Sequence, residues 1–406
     1  MSALVCESCG RELDELDSQV QCPDCAGLLS LRHRPTQLFG AALRDIFTQR
    51  RVESGVWRFT EMVLPGATNP VSFPEGNTPL LRRAALSAYA GLEDVSFKHE
   101  GMNPTGSFKD RGMTVGMTQA VRCGARAVAC ASTGNTSASL AAYAALAGLP
   151  AYVLVPAGNI AMGKLAQAVG FGATVLAVRG DFDACMTLVR EASRQLGLYL
   201  LNSVNPFRLE GQKTIVFELL ADRGWEPPDW IVLPGGNLGN VSAFGKALEE
   251  SRAAGLIERI PRLAVVQAEG ASPFAQSFRH GFAERVRVRA ETVASAIRIG
   301  DPASWDRAVG AIRVTRGVVA SVTDRQILAA HDAINRAGVG SEPASAASLA
   351  GLRELVADGT IARDASVVAV LTGHMLKDAE QLMTGAQIRE IEPDIAALEK
   401  ELGRRR

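Results

Sequence analysis

Short apolar runs alternate with helical patterns along most of the chain. The apolar runs have strand length, and many end at Gly, Pro, Asn or Ser; they lie at residues 127–131, 151–156, 174–178, 199–202, 230–234, 263–267 and 367–371. Between them, helical patterns occupy segments such as 137–146, 184–195 and 241–253. This alternation predicts βαβ units and a mostly parallel sheet with helices on both faces. In such α/β folds, ligands bind where strands end and helices begin.

The regions outside this α/β body have different patterns. Residues 1–30 contain paired cysteines, and residues 31–73 predict a helical connector that ends near Pro65, Gly66 and Pro70. The body begins at residue 74 and extends to about residue 377. Residues 378–406 predict a helical tail whose three last arginines are solvated.

Composition and charge exclude several classes of protein. The chain has 406 residues, 47% of them hydrophobic, and its 43 basic and 43 acidic side chains cancel. That length allows two or three domains, and a neutral balance provides no field to hold nucleic acid or anionic lipid. The sequence has neither a signal-peptide pattern nor an apolar run of membrane-spanning length, so we expect a cytoplasmic protein.

Four of the seven cysteines have the spacing of a zinc ribbon. They form two Cys-x-x-Cys pairs, which are Cys6 with Cys9 and Cys22 with Cys25. Two such pairs can close a tetrahedral site on a segment with too little core to fold otherwise. Four thiolates leave no open position, so the predicted zinc is structural; two disulfides or a chance pattern are the alternatives. The other three cysteines are predicted to be buried, reduced thiols: Cys123, Cys130 and Cys185.

Lys109 is the candidate reactive amine. It lies in the run Asn-Pro-Thr-Gly-Ser-Phe-Lys-Asp-Arg-Gly at residues 103–112, just past a Pro/Gly turn and at the start of a predicted helix. Desolvation there would lower the pKa of the amine and make it reactive at neutral pH. The alternative is an ordinary solvated lysine in a first helical turn.

A polar loop follows the strand predicted at residues 127–131. Its sequence is Ser-Thr-Gly-Asn-Thr-Ser at residues 132–137, and it opens an alanine-rich helix. The hydroxyls and backbone N–H groups of such a helix N-terminus suit a carboxylate, and the Asn135 amide could reach an oxygen on a bound ring. A plain N-cap is the alternative, although a cap needs only one of these side chains.

A glycine-rich loop, Gly-Gly-Asn-Leu-Gly-Asn at residues 235–240, follows the strand predicted at 230–234. Glycines let backbone N–H groups turn toward an anion, and the following helix adds its dipole. The loop matches neither the dinucleotide fingerprint nor the P-loop, so we expect it to bind the phosphate of another cofactor. A tight turn without a ligand is the alternative.

Two further segments bring polar groups to strand ends. Ser203 and Arg208 follow the strand at 199–202, and Arg208 could bind a second phosphate, or instead pair with Glu210 or another surface acid. Thr372 follows the last strand, where its hydroxyl could bond a ring nitrogen without forcing that nitrogen to be protonated. His374 is interpreted as a packed, hydrogen-bonded histidine.

Together these motifs resemble those of the threonine synthases, which are pyridoxal-phosphate enzymes of the tryptophan-synthase-β-like fold (fold type II). The resemblance covers about residues 74–377 and includes the segments 181–183, 208–213, 296–301 and 342–346. A short cysteine-rich segment also precedes the core in some members. The chain departs from the family pattern at Met375 and Ala379, where glycine and proline would be expected.

The resemblance implies a fold and a set of site residues. The fold would be α/β, with parallel doubly wound sheets in two α/β subdomains, the smaller spanning roughly 112–205. Lys109 would bind pyridoxal 5′-phosphate covalently, Asn135 would contact its 3′-oxygen, and Thr372 would face its pyridine nitrogen. The residues expected around the cofactor's phosphate are Gly236, Asn237, Leu238, Gly239 and Asn240.

The resemblance also implies an activity, the conversion of O-phospho-L-homoserine and water to L-threonine and phosphate by a homodimer. The expected substrate-binding residues are Ser132, Thr133, Thr136, Ser137, Asn202, Ser203 and Arg208. Related enzymes of the same fold are alternatives, namely a cysteate synthase acting on O-phosphoserine and sulfite, or a serine or threonine dehydratase. An inactive body whose ribbon binds a partner or nucleic acid is a further alternative, which the neutral charge and the intact Lys109 disfavour.

Overall fold

The computed structural model describes residues 2–34, 38–158, 162–383 and 388–403, and it contains three β-sheets. Residues 404–406, where a solvated tail is predicted, lie outside the described residues. The described strands, in chain order, are β1 (Ala3–Cys6), β2 (Glu12–Asp14), β3 (Leu29–Arg32), β4 (Leu80–Leu81), β5 (Val95–His99), β6 (Val128–Ala131), β7 (Ala151–Pro156), β8 (Thr174–Val178), β9 (Tyr199–Leu200), β10 (Trp230–Pro234), β11 (Arg262–Ala268), β12 (Val318–Val322) and β13 (Val367–Leu371).

Helices connect these strands and cover the sheets. They are α1 (Ala41–Gln49), α2 (Thr60–Val63), α3 (Ala84–Ala90), α4 (Lys109–Arg122), α5 (Asn135–Ala147), α6 (Met162–Gly170), α7 (Phe182–Leu196), α8 (Pro206–Asp222), α9 (Gly239–Ala253), α10 (Pro273–Arg279), α11 (Trp305–Thr315), α12 (Asp324–Arg336), α13 (Pro343–Ala357), α14 (Ala379–Met383) and α15 (Ile395–Gly403). No helix within the described ranges is both long and apolar enough to span a membrane.

Two parallel sheets form the body of the molecule. The larger has the strand order β12-β11-β10-β13-β5-β4, in which only β4 pairs antiparallel. The smaller has the order β8-β7-β6-β9 and is parallel throughout. Its strands fall at residues 128–200, inside the range predicted for the smaller subdomain. Because strands β6, β7, β10 and β13 are largely buried, their sequences are apolar runs rather than alternating patterns, and the α/β prediction is confirmed.

Strands β5 and β12 were not predicted from the apolar runs. Strand β5 contains Lys98, whose side chain is fully buried and lies 2.7 Å from Glu218 and 2.8 Å from Asp222. This lysine interrupts the apolar run, so the sequence pattern does not predict a strand at this position. Strand β9 ends two residues earlier than predicted, because Asn202 turns its amide back onto the end of β6.

The N-terminal segment forms a separate antiparallel sheet with the order β2-β1-β3. Leu4, Leu29 and Leu31 are buried and pack into the same cluster as residues of α1, α8 and α9. Polar contacts add to this attachment, since Lys246 of α9 donates to the carbonyl oxygen of Leu31 at 2.5 Å. The segment after β3 contains helices α1 and α2 and a short 3-10 turn at Trp57–Phe59.

Candidate active site

Lys109 is the first residue of α4 and follows a tight turn. The preceding turn is fixed to the end of β13, because the Phe108 N–H donates to the carbonyl oxygen of Thr372 at 3.0 Å and Ser107 forms a bridge with Gly373. Burial and, to a smaller extent, the positive charge of Arg208 together lower the pKa of the Lys109 amine to about 7, while the charge of Glu342 opposes the change. The structure therefore supports a desolvated amine rather than an ordinary surface lysine.

Asp110 holds the turn that presents Lys109. Its carboxylate accepts hydrogen bonds from the N–H and the hydroxyl of Thr105, at 2.7 and 2.6 Å, and from the Ser139 hydroxyl at 2.6 Å. Burial raises the pKa of Asp110 to about 6, although the same hydrogen bonds oppose that rise. These contacts connect α4 to α5, and they fix the backbone on either side of Lys109.

The loop at residues 132–137 leads into α5 as predicted. No side chain caps this helix, and the backbone N–H groups of residues 135–137 donate to no residue that the structure describes. The Ser137 hydroxyl bonds the Gly134 carbonyl oxygen at 2.7 Å, and Ser132 Oγ accepts from the Gly134 N–H at 3.2 Å. Thr133 is exposed and Thr136 is partly exposed. The loop thus offers a ligand backbone donors and the two threonine hydroxyls, while the Ser132 and Ser137 hydroxyls shape the turn.

The glycine-rich loop ends at Gly239, the first residue of α9. Leu238, just before the helix, has φ 62° and ψ 10°, and no side chain caps the helix. Within the described chain, the backbone N–H groups of residues 236–241 donate no hydrogen bond. A Cβ on Gly236 would lie 3.0 Å from Ile297 Cα, so this position leaves no room for a side chain. Six unpaired N–H groups at a helix N-terminus suit a phosphate.

The segment at residues 202–203 touches the glycine loop through only one of its two predicted residues. Ser203 Oγ accepts a hydrogen bond from Asn237 Nδ2 at 2.6 Å. Asn202 instead bonds the Ala131 N–H at 3.0 Å and the Ala131 carbonyl oxygen at 2.9 Å, so its amide is committed to joining β6 and β9. Its position beside the site agrees with the prediction, but both ends of its side chain are already bonded.

Arg208 lies on α8 and is 1% exposed. Its Nη1 donates to the Leu201 carbonyl oxygen at 3.0 Å, whereas Nε and Nη2 have no partner among the described residues. Burial lowers the pKa of Arg208 to about 10. The alternative of a salt bridge to Glu210 is wrong, because Glu210 pairs with His33 at 2.7 Å and with Lys213 and Lys246, each at 2.5 Å.

Thr372 and Asn135 meet at a carboxylate that was not predicted as a site residue. Glu342 precedes α13, and its Oε2 accepts a hydrogen bond from Asn135 Nδ2 at 3.0 Å. The Thr372 hydroxyl lies 3.5 Å from Glu342 Oε1 and 2.9 Å from Ser345 Oγ. In the sequence, Glu342 before Pro343 indicates only a helix start, and its reach toward Asn135, 207 residues away, has no local signal.

His374 and Met375 follow Thr372. His374 Nδ1 accepts from the Leu376 N–H at 3.2 Å and caps a short 3-10 turn at Met375–Asp378, as expected of a hydrogen-bonded histidine. Met375, which replaces the expected glycine, packs against Gly340, where an added Cβ would lie 2.9 Å from its sulfur.

The four paired cysteines lie together in the N-terminal segment, with Cys6 at the end of β1. Their sulfur atoms all lie within 4.8 Å of one another. Cys6 Sγ is 3.4 Å from Cys25 Sγ, and Cys9 Sγ is 3.6 Å from Cys22 Sγ. Four thiolates around a tetrahedral zinc, with bonds of about 2.3 Å, place their sulfurs roughly 3.8 Å apart. The donor set and its spacing therefore fit a structural zinc ion.

Comparisons with known proteins agree with this geometry. The family model described as pyridoxal-phosphate dependent enzyme matches residues 71–373. A threonine synthase of Methanosarcina acetivorans is 46% identical over 385 residues, which are 94% of each chain. A threonine synthase of Mycobacterium leprae is 48% identical over 337 residues, covering 82% of this chain and 91% of the relative.

Solved structures show the same fold at low sequence identity. The crystal structure of threonine synthase from Escherichia coli has a TM-score of 0.73 at 19% identity and covers 100% of both chains. The structure of maize serine racemase has a TM-score of 0.66 at 21% identity and covers 82% of this chain and 96% of that one. The family match and the near relatives together show that this chain belongs to the pyridoxal-phosphate dependent enzymes and, within them, to the threonine synthase group.

Proposed function

We propose that this chain is a threonine synthase, which converts O-phospho-L-homoserine and water to L-threonine and inorganic phosphate. The observation that carries the proposal is Arg208, a buried guanidinium with two unpaired nitrogens whose charge acts on Lys109. A buried cation without a counter-ion costs free energy of folding, and a bound anion from a ligand offsets that cost. Serine and threonine carry no phosphate, so a dehydratase of these substrates gives Arg208 no such partner.

The residues present fit pyridoxal phosphate as the cofactor. Lys109 would hold it covalently through Nζ, the unpaired N–H groups of residues 236–241 would hold its phosphate, and Thr372 offers a hydroxyl for its ring nitrogen. When bound, the cofactor supplies an electron sink for the negative charge that develops at the substrate's α carbon. The hydroxyl of Thr372, unlike a carboxylate, does not require a proton on that nitrogen.

Lys109 is the base for the proton transfers. With its pKa near 7, the amine is about half neutral at neutral pH, and the neutral form can accept a proton on Nζ. Over the whole reaction, the bond between the γ carbon and the phosphate oxygen breaks and the phosphate takes the bonding electrons. The γ carbon gains a proton and becomes the methyl group, while the β carbon loses one proton and gains the hydroxyl of water. The α carbon loses its proton and later regains one, and Lys109 is the group available to move these protons.

Arg208 binds the phosphate that leaves. Its Nε and Nη2 can donate two charged hydrogen bonds to a phosphate. The Ser203 hydroxyl, which accepts from Asn237 of the glycine loop, is proposed as a further group for the substrate. A phosphate on Arg208 would also offset the positive charge that lowers the pKa of Lys109, so substrate binding would make Lys109 a stronger base. The substrate's carboxylate would bind the backbone N–H groups of residues 135–137 with Thr133 and Thr136.

The N-terminal sheet is proposed to carry one structural zinc ion on Cys6, Cys9, Cys22 and Cys25. The sulfur spacing supports this assignment. We also propose, from the sequence resemblance, that the protein is a cytoplasmic homodimer whose catalytic core comprises residues 74–377. Size-exclusion chromatography with light scattering tests the dimer.

Phosphate release distinguishes the candidate functions. The holoenzyme is incubated with O-phosphohomoserine, with O-phosphoserine plus sulfite, and with serine and threonine, and phosphate and ammonia are measured. The proposal predicts phosphate from O-phosphohomoserine at a kcat/KM well above that for O-phosphoserine, and little ammonia from the free amino acids. Preferred turnover of O-phosphoserine would instead indicate a cysteate synthase, and ammonia without phosphate would indicate a dehydratase.

A further inference from the structure

Glu342 joins the two halves of the site. It lies just before α13, and its own N–H donates to the carbonyl oxygen of Gly373 at 3.0 Å, next to the end of β13. Its side chain reaches across to Asn135, the first residue of α5, which belongs to the smaller sheet's layer. Residues from both sheets are therefore connected through this one side chain.

The backbone around Glu342 leaves a space that its carboxylate fills. A Cβ added to Gly373 would lie 2.5 Å from Glu342 Cδ and from Oε1. A side chain at position 373 would therefore have to displace the Glu342 carboxylate from its present place. The glycine at position 373 leaves the carboxylate free to approach the backbone closely at the end of β13.

Glu342 is buried without a salt bridge. It is 5% exposed, and no lysine or arginine within the described residues lies in salt-bridge distance of it. Burial raises the pKa of Glu342, whereas the Asn135 hydrogen bond and the charges of Lys377 and Lys109 oppose the rise. A buried carboxylate held chiefly by an amide is costly for stability, so a role in the site is the better explanation.

The hydrogen bond fixes which way the Asn135 amide faces. Asn135 donates from Nδ2 to Glu342 Oε2, so its Oδ1 faces away from the carboxylate. One Nδ2 hydrogen is then used by Glu342, and the direction of the second is set. Without Glu342, the amide could rotate by half a turn and offer an acceptor where a donor is needed.

We infer that Glu342 is a positioning residue, which holds the Asn135 amide so that its second Nδ2 hydrogen faces the cofactor. This inference rests on the proposed function, because the ligand of Asn135 is taken to be pyridoxal phosphate. Asn135 contacts the cofactor, and Glu342 acts through Asn135. The affinity for the cofactor should then depend on Glu342 only while Asn135 is present.

A double-mutant cycle tests this dependence. Cofactor-free protein is titrated with pyridoxal phosphate, followed by absorbance, for the unchanged chain, Glu342→Ala, Asn135→Ala and the double variant. We expect Glu342→Ala to weaken binding about ten-fold in the unchanged chain and less than about two-fold when Asn135 is already alanine. Circular dichroism checks each fold, and Glu354→Gln, on the exposed face of the same helix, is the matched control.

Glu342→Gln provides a second readout, because glutamine keeps an acceptor oxygen at the same reach. It should recover most of the affinity that Glu342→Ala loses. Equal losses in both Asn135 backgrounds, or no loss with Glu342→Ala, would overturn the inference alone. If the unchanged chain does not bind pyridoxal phosphate, the proposed function is overturned as well.

Discussion

Arg208 Nη1 donates a hydrogen bond to the carbonyl oxygen of Leu201 at 3.0 Å. This contact fixes the guanidinium within the interior, and it leaves Nε and Nη2 unpaired among the residues that the structure describes. A planar guanidinium held by one edge presents its other nitrogens as a fork. The contact between Arg208 and Leu201 therefore indicates a second anion site, separate from the one at the glycine loop.

Replacing Arg208 should affect the substrate's phosphate more than the cofactor. Loss of a charged hydrogen-bonding partner typically costs about 1.5 to 3 kcal/mol, or roughly ten-fold to a hundred-fold in affinity. We expect Arg208→Ala to weaken competition by inorganic phosphate to that extent, while binding of pyridoxal phosphate changes little. Arg208→Lys keeps a positive charge but not the forked geometry, so its affinity for inorganic phosphate should lie between those of the unchanged chain and Arg208→Ala. Selective loss of cofactor binding would move Arg208 to the other phosphate site.

Arg208 should lower the stability of the protein when no ligand is bound. A buried charge without a counter-ion costs free energy, and an apolar side chain of similar length avoids that cost. Arg208→Met should therefore unfold at a higher temperature than the unchanged chain when both lack phosphate, and it should be inactive. Thermal unfolding followed by circular dichroism measures the difference. A lower melting temperature for Arg208→Met would show that the Leu201 contact outweighs the cost of the buried charge.

The stability of the cofactor-free protein should depend on the pH through Lys109. Its pKa falls from 10.5 to about 7 on folding, so between these values the unfolded chain binds a proton that the folded chain does not. The free energy of unfolding should therefore rise as the pH rises from about 7 to about 10.5. Below about pH 7 the amine is charged in both states, and the folded protein carries the full cost of burying that charge. Lys109→Met removes the effect and is the matched comparison. The gap between the two melting temperatures should shrink from pH 7 to pH 10, and a constant gap would contradict the lowered pKa.

Removal of zinc should loosen the N-terminal sheet before it alters the cofactor site. The sheet is small, and without a metal the four cysteines lose the bonds that hold their turns together. Chelation is expected to expose residues 2–34 to limited proteolysis while the cofactor's absorbance persists. Cys9→Ser should lose the metal, whereas Cys123→Ser, outside the cluster, should keep it. Early loss of the absorbance, with the segment still protected, would argue against this order.

Much of the fold could be predicted because the buried parallel strands are short apolar runs with loops and helices between them. Strand β5 was not predicted because it contains Lys98, a charged residue that the sequence pattern places outside a core. In the folded protein, ion pairs with distant acidic residues allow Lys98 to be buried. The loops carrying Lys109, Asn135 and Gly239 could be predicted, since glycine, asparagine and helix starts have local signatures.

The remaining parts of the site depend on contacts between distant residues. Asn202 looked like a ligand residue, but its amide is used to bond Ala131, 71 positions away. Glu342 looked like an ordinary residue before a helix, and only the folded chain brings it to Asn135. Such roles depend on which strands become neighbours, and the local sequence does not encode that information.

The identity of the product tests the central claim most directly. The holoenzyme is incubated with O-phospho-L-homoserine, and phosphate and amino acids are measured over the same time course, with Lys109→Ala as the control that should be folded and inactive. We predict L-threonine and phosphate in equal amounts, formed by the unchanged chain alone. Absence of threonine, or phosphate release that persists at a near-native rate in Lys109→Ala, would contradict the account.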